Sequence, residues 1–160
     1  MGDAPDATRT AAPRWLVDEM LGRLARYLRF LGHDTEYVRG LPDEAIGARA
    51  LRERRILVTR DRLLSRRTPG AVLVETTDVL EQLRVVLRSY PSASREVRFD
   101  RCTLCNGELR PRGPAPEGAL GSGPPDVPRF RCEACGHEYW EGSHTAAIRR
   151  RLAGVLEAPA

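Results

Sequence analysis

The chain has 160 residues, 41% hydrophobic and 30% charged, which is room for one ordinary domain or for a small domain plus an independently stabilised module. No run approaches the ~18 apolar residues of a membrane span, so no membrane partner is expected. The net charge is +4, and all 26 basic residues are Arg. The missing Lys excludes P-loop phosphate binding, Schiff-base chemistry and Lys-dependent response-regulator receivers. The Arg excess is compatible with a nucleic-acid partner and is also what GC-rich codon usage produces.

The first residues, MGDAPDATRTAAPR, lack a basic start followed by an apolar core. They read as a disordered leader over 1–13, and the expected compartment is the cytoplasm. Residues 14–17 then give a short apolar strand ending at Asp18. Met20, Leu21, Leu24, Leu28 and Leu31 recur at helical spacing, with Gly32 as the stop. A second strand is expected at 34–38, followed by a helix over 41–55 with Pro42 near its first turn and Asp43 and Glu44 at its positive end. Residues 55–59 make a third strand, a short helix follows, and 71–75 make a fourth strand. Val79, Leu80, Leu83, Val86, Leu87 and Tyr90 form the apolar face of the next helix.

This alternation predicts a mostly parallel sheet with helices on both faces, over 14–91. No glycine fingerprint follows the first strand, which disfavours dinucleotide binding. From 99 to 144 the pattern changes. CTLC at 102–105 and CEAC at 132–135 are two C-x-x-C pairs separated by 26 residues. Each pair puts two thiolates on one tight turn, and two such turns close a tetrahedral Zn²⁺ site. Cys102, Cys105, Cys132 and Cys135 fill all four positions, so the zinc is expected to be structural. With the site full, His137 and His144 read as surface groups or supports of the ligands, the alternative being that one of them is a ligand or a substrate contact. Phe130, Tyr139 and Trp140 lie among Arg101, Arg129 and Arg131, a mix that suits single-stranded nucleic acid, although Phe130 and Tyr139 equally suit a small ribbon core. Residues 145–160 close the chain as a helix and tail.

Acids stand after successive strands: Asp18 after the first, Asp43 and Glu44 after the second, Asp61 after the third. Each alone suits helix capping or a helix dipole. Together they share one edge of one sheet, where carboxylates that repel one another are tolerable when Mg²⁺ or Mn²⁺ neutralises them. That chemistry serves phosphodiester hydrolysis.

LVDEMLGRLARYLRFLGHDT, DEAIGARA, RILVTRD, RCTLCNGEL and RCEACGHEYWEGSH, in that order, resemble the Mut-seven C-terminal ribonuclease family, a PIN-like nuclease domain ending in a zinc ribbon. The resemblance runs from about Trp15 to His144. It implies a PIN-like three-layer α/β/α fold and divalent-metal-dependent RNA cleavage, with a catalytic acid set falling on Asp18, Asp43 and Asp61. Glu19 and Glu44 stand beside two of these as alternates, and Asp78 is the candidate fourth acid, with Glu75 in reserve. Arg60, Arg23 and Arg26 are the expected phosphate contacts; for Arg23 and Arg26 the competing reading is a solvated helix face with a Glu19–Arg23 ion pair. The implied activity is a Mg²⁺/Mn²⁺-dependent ribonuclease whose ribbon aids RNA binding. The alternative is a non-catalytic RNA- or protein-binding adaptor that uses the ribbon as its contact surface.

Overall fold

A computed structural model describes residues 12–113 and 126–157. Most of the expected leader, and most of the Pro/Gly-rich connection between the two cysteine pairs, lie outside the described residues. Four strands, β1 (Trp15–Val17), β2 (Thr35–Tyr37), β3 (Ile56–Thr59) and β4 (Val72–Leu73), form a parallel sheet in the order β2-β1-β3-β4. Between them run α1 (Gly22–Phe30), α2 (Asp43–Arg52) and α3 (Arg62–Arg67), and α4 (Val79–Ser89) follows β4.

β1 is central and wholly buried, and its side chains alternate between two cores. Trp15 and Val17 join Val58 and the apolar faces of α1 and α4. Leu16 joins Leu57 on the other face, with Ile46 and Ala50 of α2 and Leu64 of α3. The connection β1-α1-β2 moves to one side of β1 and β2-α2-β3 returns to the other, so α1 and α2 fall on opposite faces. The expected three layers are thus present.

Local signals in the sequence account for most element ends. Gly32, at φ 80°, closes α1: its N–H bonds Arg29 O at 2.9 Å, and that of His33 bonds Leu28 O at 3.0 Å. Several boundaries differ from expectation, α2 ending at Arg52 and the strands being shorter, and three of the differences have a local cause. Residues 19–21 form a 3-10 turn before α1, because the Asp18 carboxylate takes the Glu19 N–H and the Asp18 carbonyl takes that of Leu21. Pro42 caps α2 from outside its first turn. β4 keeps only two residues as an edge strand, and Glu75 turns away to pair with Arg62.

The C-terminal part is a second, antiparallel sheet: β5 (Leu109–Arg112), β6 (Arg129–Cys132) and β7 (Glu138–Trp140). Cys102, Leu109 and Cys132 are its small core, with Phe99, Phe130 and Tyr139 packed around them. Helix α5 (Ser143–Leu156) then returns to the main domain and buries Leu152 and Val155 beside α1 and α4. Among the described residues no helix is long and apolar enough to cross a membrane.

The ribbon is docked onto the exposed edge of β2 through its first knuckle. Asn106 accepts from Thr35 N–H at 2.8 Å and donates to Asp34 Oδ1 at 2.8 Å and Glu36 Oε1 at 3.2 Å. Arg29 of α1 donates to the carbonyls of Thr103 and Leu104 at 3.1 and 3.0 Å. An edge strand that would otherwise present unpaired backbone is thereby covered. Burial alone would raise the Asp34 pKa, but hydrogen bonds from Arg55, Asn106 and Arg14 hold its carboxyl well below the usual carboxylate range.

Asn106→Ala is expected to lower stability by about 2 kcal/mol, since it strands the buried Thr35 N–H and puts Ala at a φ of 68°. Asn106→Gly restores the backbone but not the bonds, and recovers only part of the loss. Because the folded pKa of Asp34 is depressed, its stabilisation is complete above the unfolded value and lost as pH falls below about 4. Thermal melts of wild type and Asn106→Ala between pH 7 and pH 2 check both. Equal melting temperatures at pH 7 would contradict the docking role.

Candidate active edge and zinc centre

In an open parallel sheet a crevice forms where successive crossovers leave in opposite directions. Here that switch point lies between β1 and β3, and it is flanked by Asp18 and Asp61. The two are tied through one side chain. Thr59, fully buried at the end of β3, donates its hydroxyl to Asp18 Oδ2 at 2.8 Å and accepts the Asp61 N–H at 3.0 Å. Asp18 Oδ1 takes the Glu19 N–H at 2.7 Å, which fixes that carboxylate, 8% exposed, against the strand ends. Asp61 caps α3 by accepting the Leu64 N–H at 2.8 Å through Oδ1. Capping and membership of the acid edge are therefore one arrangement and do not compete.

The remaining candidates are spread along the same edge. Asp43 and Glu44 are exposed in the first turn of α2. Asp78 is exposed and caps α4 through the Glu81 N–H at 2.9 Å. Glu19 accepts the Gly40 N–H at 3.0 Å, and the Glu19–Arg23 ion pair of the competing reading is absent among the described residues. Among the described residues, no three of these acids bring ligand atoms within 4.8 Å of one another. Their donor chemistry, hard carboxylate oxygen, nevertheless suits a divalent cation of the Mg²⁺ class. Arg60 follows Thr59 with its Nε buried and without a hydrogen-bond partner. Arg23 and Arg26 are exposed on α1.

The cysteines do gather. Sγ atoms of Cys102, Cys105, Cys132 and Cys135 all lie within 4.8 Å, with Cys105–Cys132 at 3.5 Å and Cys102–Cys135 at 3.7 Å. A tetrahedron with Zn–S of ~2.3 Å has sulfur edges of about 3.8 Å, so the spacing fits zinc. The two knuckles repeat one design. Asn106 N–H bonds Cys102 O at 2.9 Å and Gly136 N–H bonds Cys132 O at 3.0 Å, with both residues at positive φ. Burial opposes ionisation of Cys132, yet hydrogen bonds, led by the Cys135 N–H, bring its thiol down to about 7. Burial pushes that of Cys105 up to about 12.

Of the ribbon aromatics, Phe130 stacks on Phe99 with centroids 4.8 Å apart, and Tyr139 turns its hydroxyl to Cys102 Sγ at 3.0 Å. Arg129 is buried and paired with Glu138. These groups build the ribbon core, which leaves Trp140 as the ring of that set free to meet a ligand.

Sequence reasoning missed two parts of these sites. Thr59 was visible only as a polar end to an apolar strand; its double role needs the register of β1 against β3. Gly107 is sterically required, because a Cβ there would sit 2.8 Å from Cys132 Sγ and 2.8 Å from Ala134 Cβ. Its signal was its place directly after the first knuckle.

The fold is an α/β domain, a parallel four-strand sheet flanked by helices, joined to a cluster of four cysteines that fits zinc. Residues 13–152 match the family model of the Mut7-C RNAse domain, and the chain belongs to that family. Comparisons with curated proteins and with solved structures find no match.

Proposed function

We propose that the protein is a divalent-metal-dependent ribonuclease that hydrolyses RNA phosphodiesters at the carboxyl edge of its parallel sheet, with a structural zinc ribbon that aids RNA binding. The observation that carries this reading is the Asp18–Thr59–Asp61 linkage at the switch point. Capping α3 requires Asp61 alone; it does not require the Asp18 carboxylate on the buried Thr59 hydroxyl that accepts the Asp61 backbone N–H. Asp18, Asp61 and Asp43 are the residues that would hold Mg²⁺ or Mn²⁺, which when bound activates water and stabilises charge on the phosphate. Asp61 Oδ2 and the Asp43 carboxylate have no protein partner among the described residues, so oxygen donors remain free for such an ion. Thr59 and the Glu19 N–H orient Asp18, and Arg60, directly before Asp61 in the chain, would supply a guanidinium for the RNA backbone. The cytoplasm is the compartment that goes with this reading, since reducing conditions there would keep the four thiols available to zinc.

Purified full-length protein incubated with 5′-labelled single-stranded RNA and with DNA of the same sequence provides the test. Cleavage of RNA is expected with Mn²⁺ or Mg²⁺ and none without added divalent metal. Tight RNA binding with no cleavage under any metal would replace the enzyme by the adaptor.

A further inference from the structure

A cleft runs between α1, the ribbon and the start of α5, and Thr103 and Tyr139, beside the first knuckle, are part of its lining. Arg23, Arg26 and Tyr27 of α1 form one wall, and Trp140, His144 and Arg151 the other. A second groove lies at the carboxyl edge of the sheet, lined by Met20, Gly22, Arg39 and Thr77, and it shares Arg23, Arg26 and Thr103 with the first. The two make one continuous track, from the segment directly after Asp18, along α1, to the ribbon.

The track has a marked charge bias. No carboxylate among the described residues pairs with Arg23, Arg26, Arg39 or Arg151, and the guanidinium of Arg151 lies 6.0 Å from the Tyr27 ring centre. Glu138 is the acid in the wall of the cleft, and Arg129 neutralises it at 3.2 Å. The first turn of α5, with Ser143 and His144, adds the positive end of a 14-residue helix. Guanidinium groups without carboxylate partners beside the Trp140 ring favour an occupant that has both negative charge at regular intervals and flat apolar faces.

Resting on the ribonuclease reading, we propose that this cleft binds the unpaired bases and phosphates of single-stranded RNA and feeds the strand along α1 to the acid edge. Trp140 offers a stacking face, and Arg23, Arg26 and Arg151, the last held over the Tyr27 ring, contact phosphates. A duplex hides its base faces in its own stack, so it would keep only the phosphate contacts and bind more weakly. The ribbon thereby supplies one wall of the binding track, and α5, whose sequence carries no recognisable nucleic-acid motif, supplies part of the same wall.

The test uses zinc-loaded full-length protein and a fluorescein-labelled U12 oligoribonucleotide, single-stranded or annealed to A12, without Mg²⁺ or Mn²⁺. Anisotropy titrations compare wild type with Arg26→Glu, Arg151→Glu, Trp140→Phe and Arg66→Glu, the last an exposed residue on α3 across the sheet. Zinc content and circular dichroism confirm that each variant is folded. Arg26→Glu and Arg151→Glu are expected to raise Kd by about tenfold or more and to flatten the slope of log K against log salt by about 0.7 per lost contact. Arg66→Glu should stay within about twofold. Trp15 is fully buried, so U12 should quench the fluorescence of Trp140, and Trp140→Phe should remove that quench while weakening binding only modestly. Wild-type affinity for U12 in Arg26→Glu and Arg151→Glu, no binding by wild type, or duplex bound as tightly as single strand would each overturn the cleft assignment. Binding that follows this pattern without cleavage on adding Mn²⁺ would leave the cleft standing and remove the ribonuclease reading, whereas cleavage by protein whose binding ignores Arg26 and Arg151 would do the reverse.

Discussion

Cys132→Ser is expected to abolish stoichiometric zinc binding and to unfold β5, β6 and β7. Among the described residues the ribbon's core cluster has three buried members, two of them cysteines, so metal binding is expected to supply the folding energy. Structural zinc is worth roughly 10–16 kcal/mol in comparable small modules, far above the ~1 kcal/mol net of a typical hydrogen bond. The loss should reach the main domain, because Arg29 and Asn106 bond the first knuckle to α1 and β2. Gly107→Ala should reproduce much of the defect with all four thiols intact, since its Cβ would press on Cys132 Sγ and Ala134. Zinc quantification and amide exchange of the ribbon strands check both variants. Full folding with one zinc per chain in Cys132→Ser would remove the Cys₄ assignment.

The parts of this architecture that could be read from sequence are those fixed by short-range chemistry. Leu24, Leu28 and Leu31 share a helical face whatever surrounds them, and Gly32 stops that helix through its own backbone. The two C-x-x-C turns carry their geometry within a few residues. What was not legible depends on residues far apart in the chain. Asn106 and Thr35 are 71 positions apart, and nothing in either neighbourhood indicates that a zinc knuckle will cover the edge of β2. The division of the ribbon aromatics was equally hidden. Phe130 goes to the core because it stacks on Phe99, while Trp140, opposite Arg129 in the β6–β7 ladder, reaches the cleft. The strand-end acids are an intermediate case. Alternating strands and helices put Asp18 and Asp61 on one edge, but their common hydrogen-bond partner appears only once β1 pairs with β3.

Asp61→Asn and Asp18→Asn are expected to reduce RNA cleavage alike, by roughly 10²-fold or more, and to differ in stability. Each removes one negative charge from the edge that would hold the cation, so the Mn²⁺ concentration giving half-maximal rate should rise in both. Their surroundings set them apart. The Asp61 carboxylate accepts one protein N–H, from Leu64, and Asn caps a helix nearly as well as Asp, so Asp61→Asn should melt within about 0.5 kcal/mol of wild type. Asp18 accepts through both oxygens, Oδ1 from Glu19 and Oδ2 from Thr59. An amide has one oxygen, so in Asp18→Asn one of those contacts would set the NH₂ against the Glu19 N–H or the Thr59 hydroxyl; the hydroxyl can turn to accept, the N–H cannot. The better of these choices still loses a charged acceptor at a buried hydroxyl that also serves Asp61, a loss of about 1–3 kcal/mol. Denaturant melts and Mn²⁺-dependent rates measured on the same preparations separate the roles. Should Asp61→Asn cleave RNA at the wild-type rate at both limiting and saturating Mn²⁺, its function is to cap α3, and Asp18 with Asp43 must hold the ion without it.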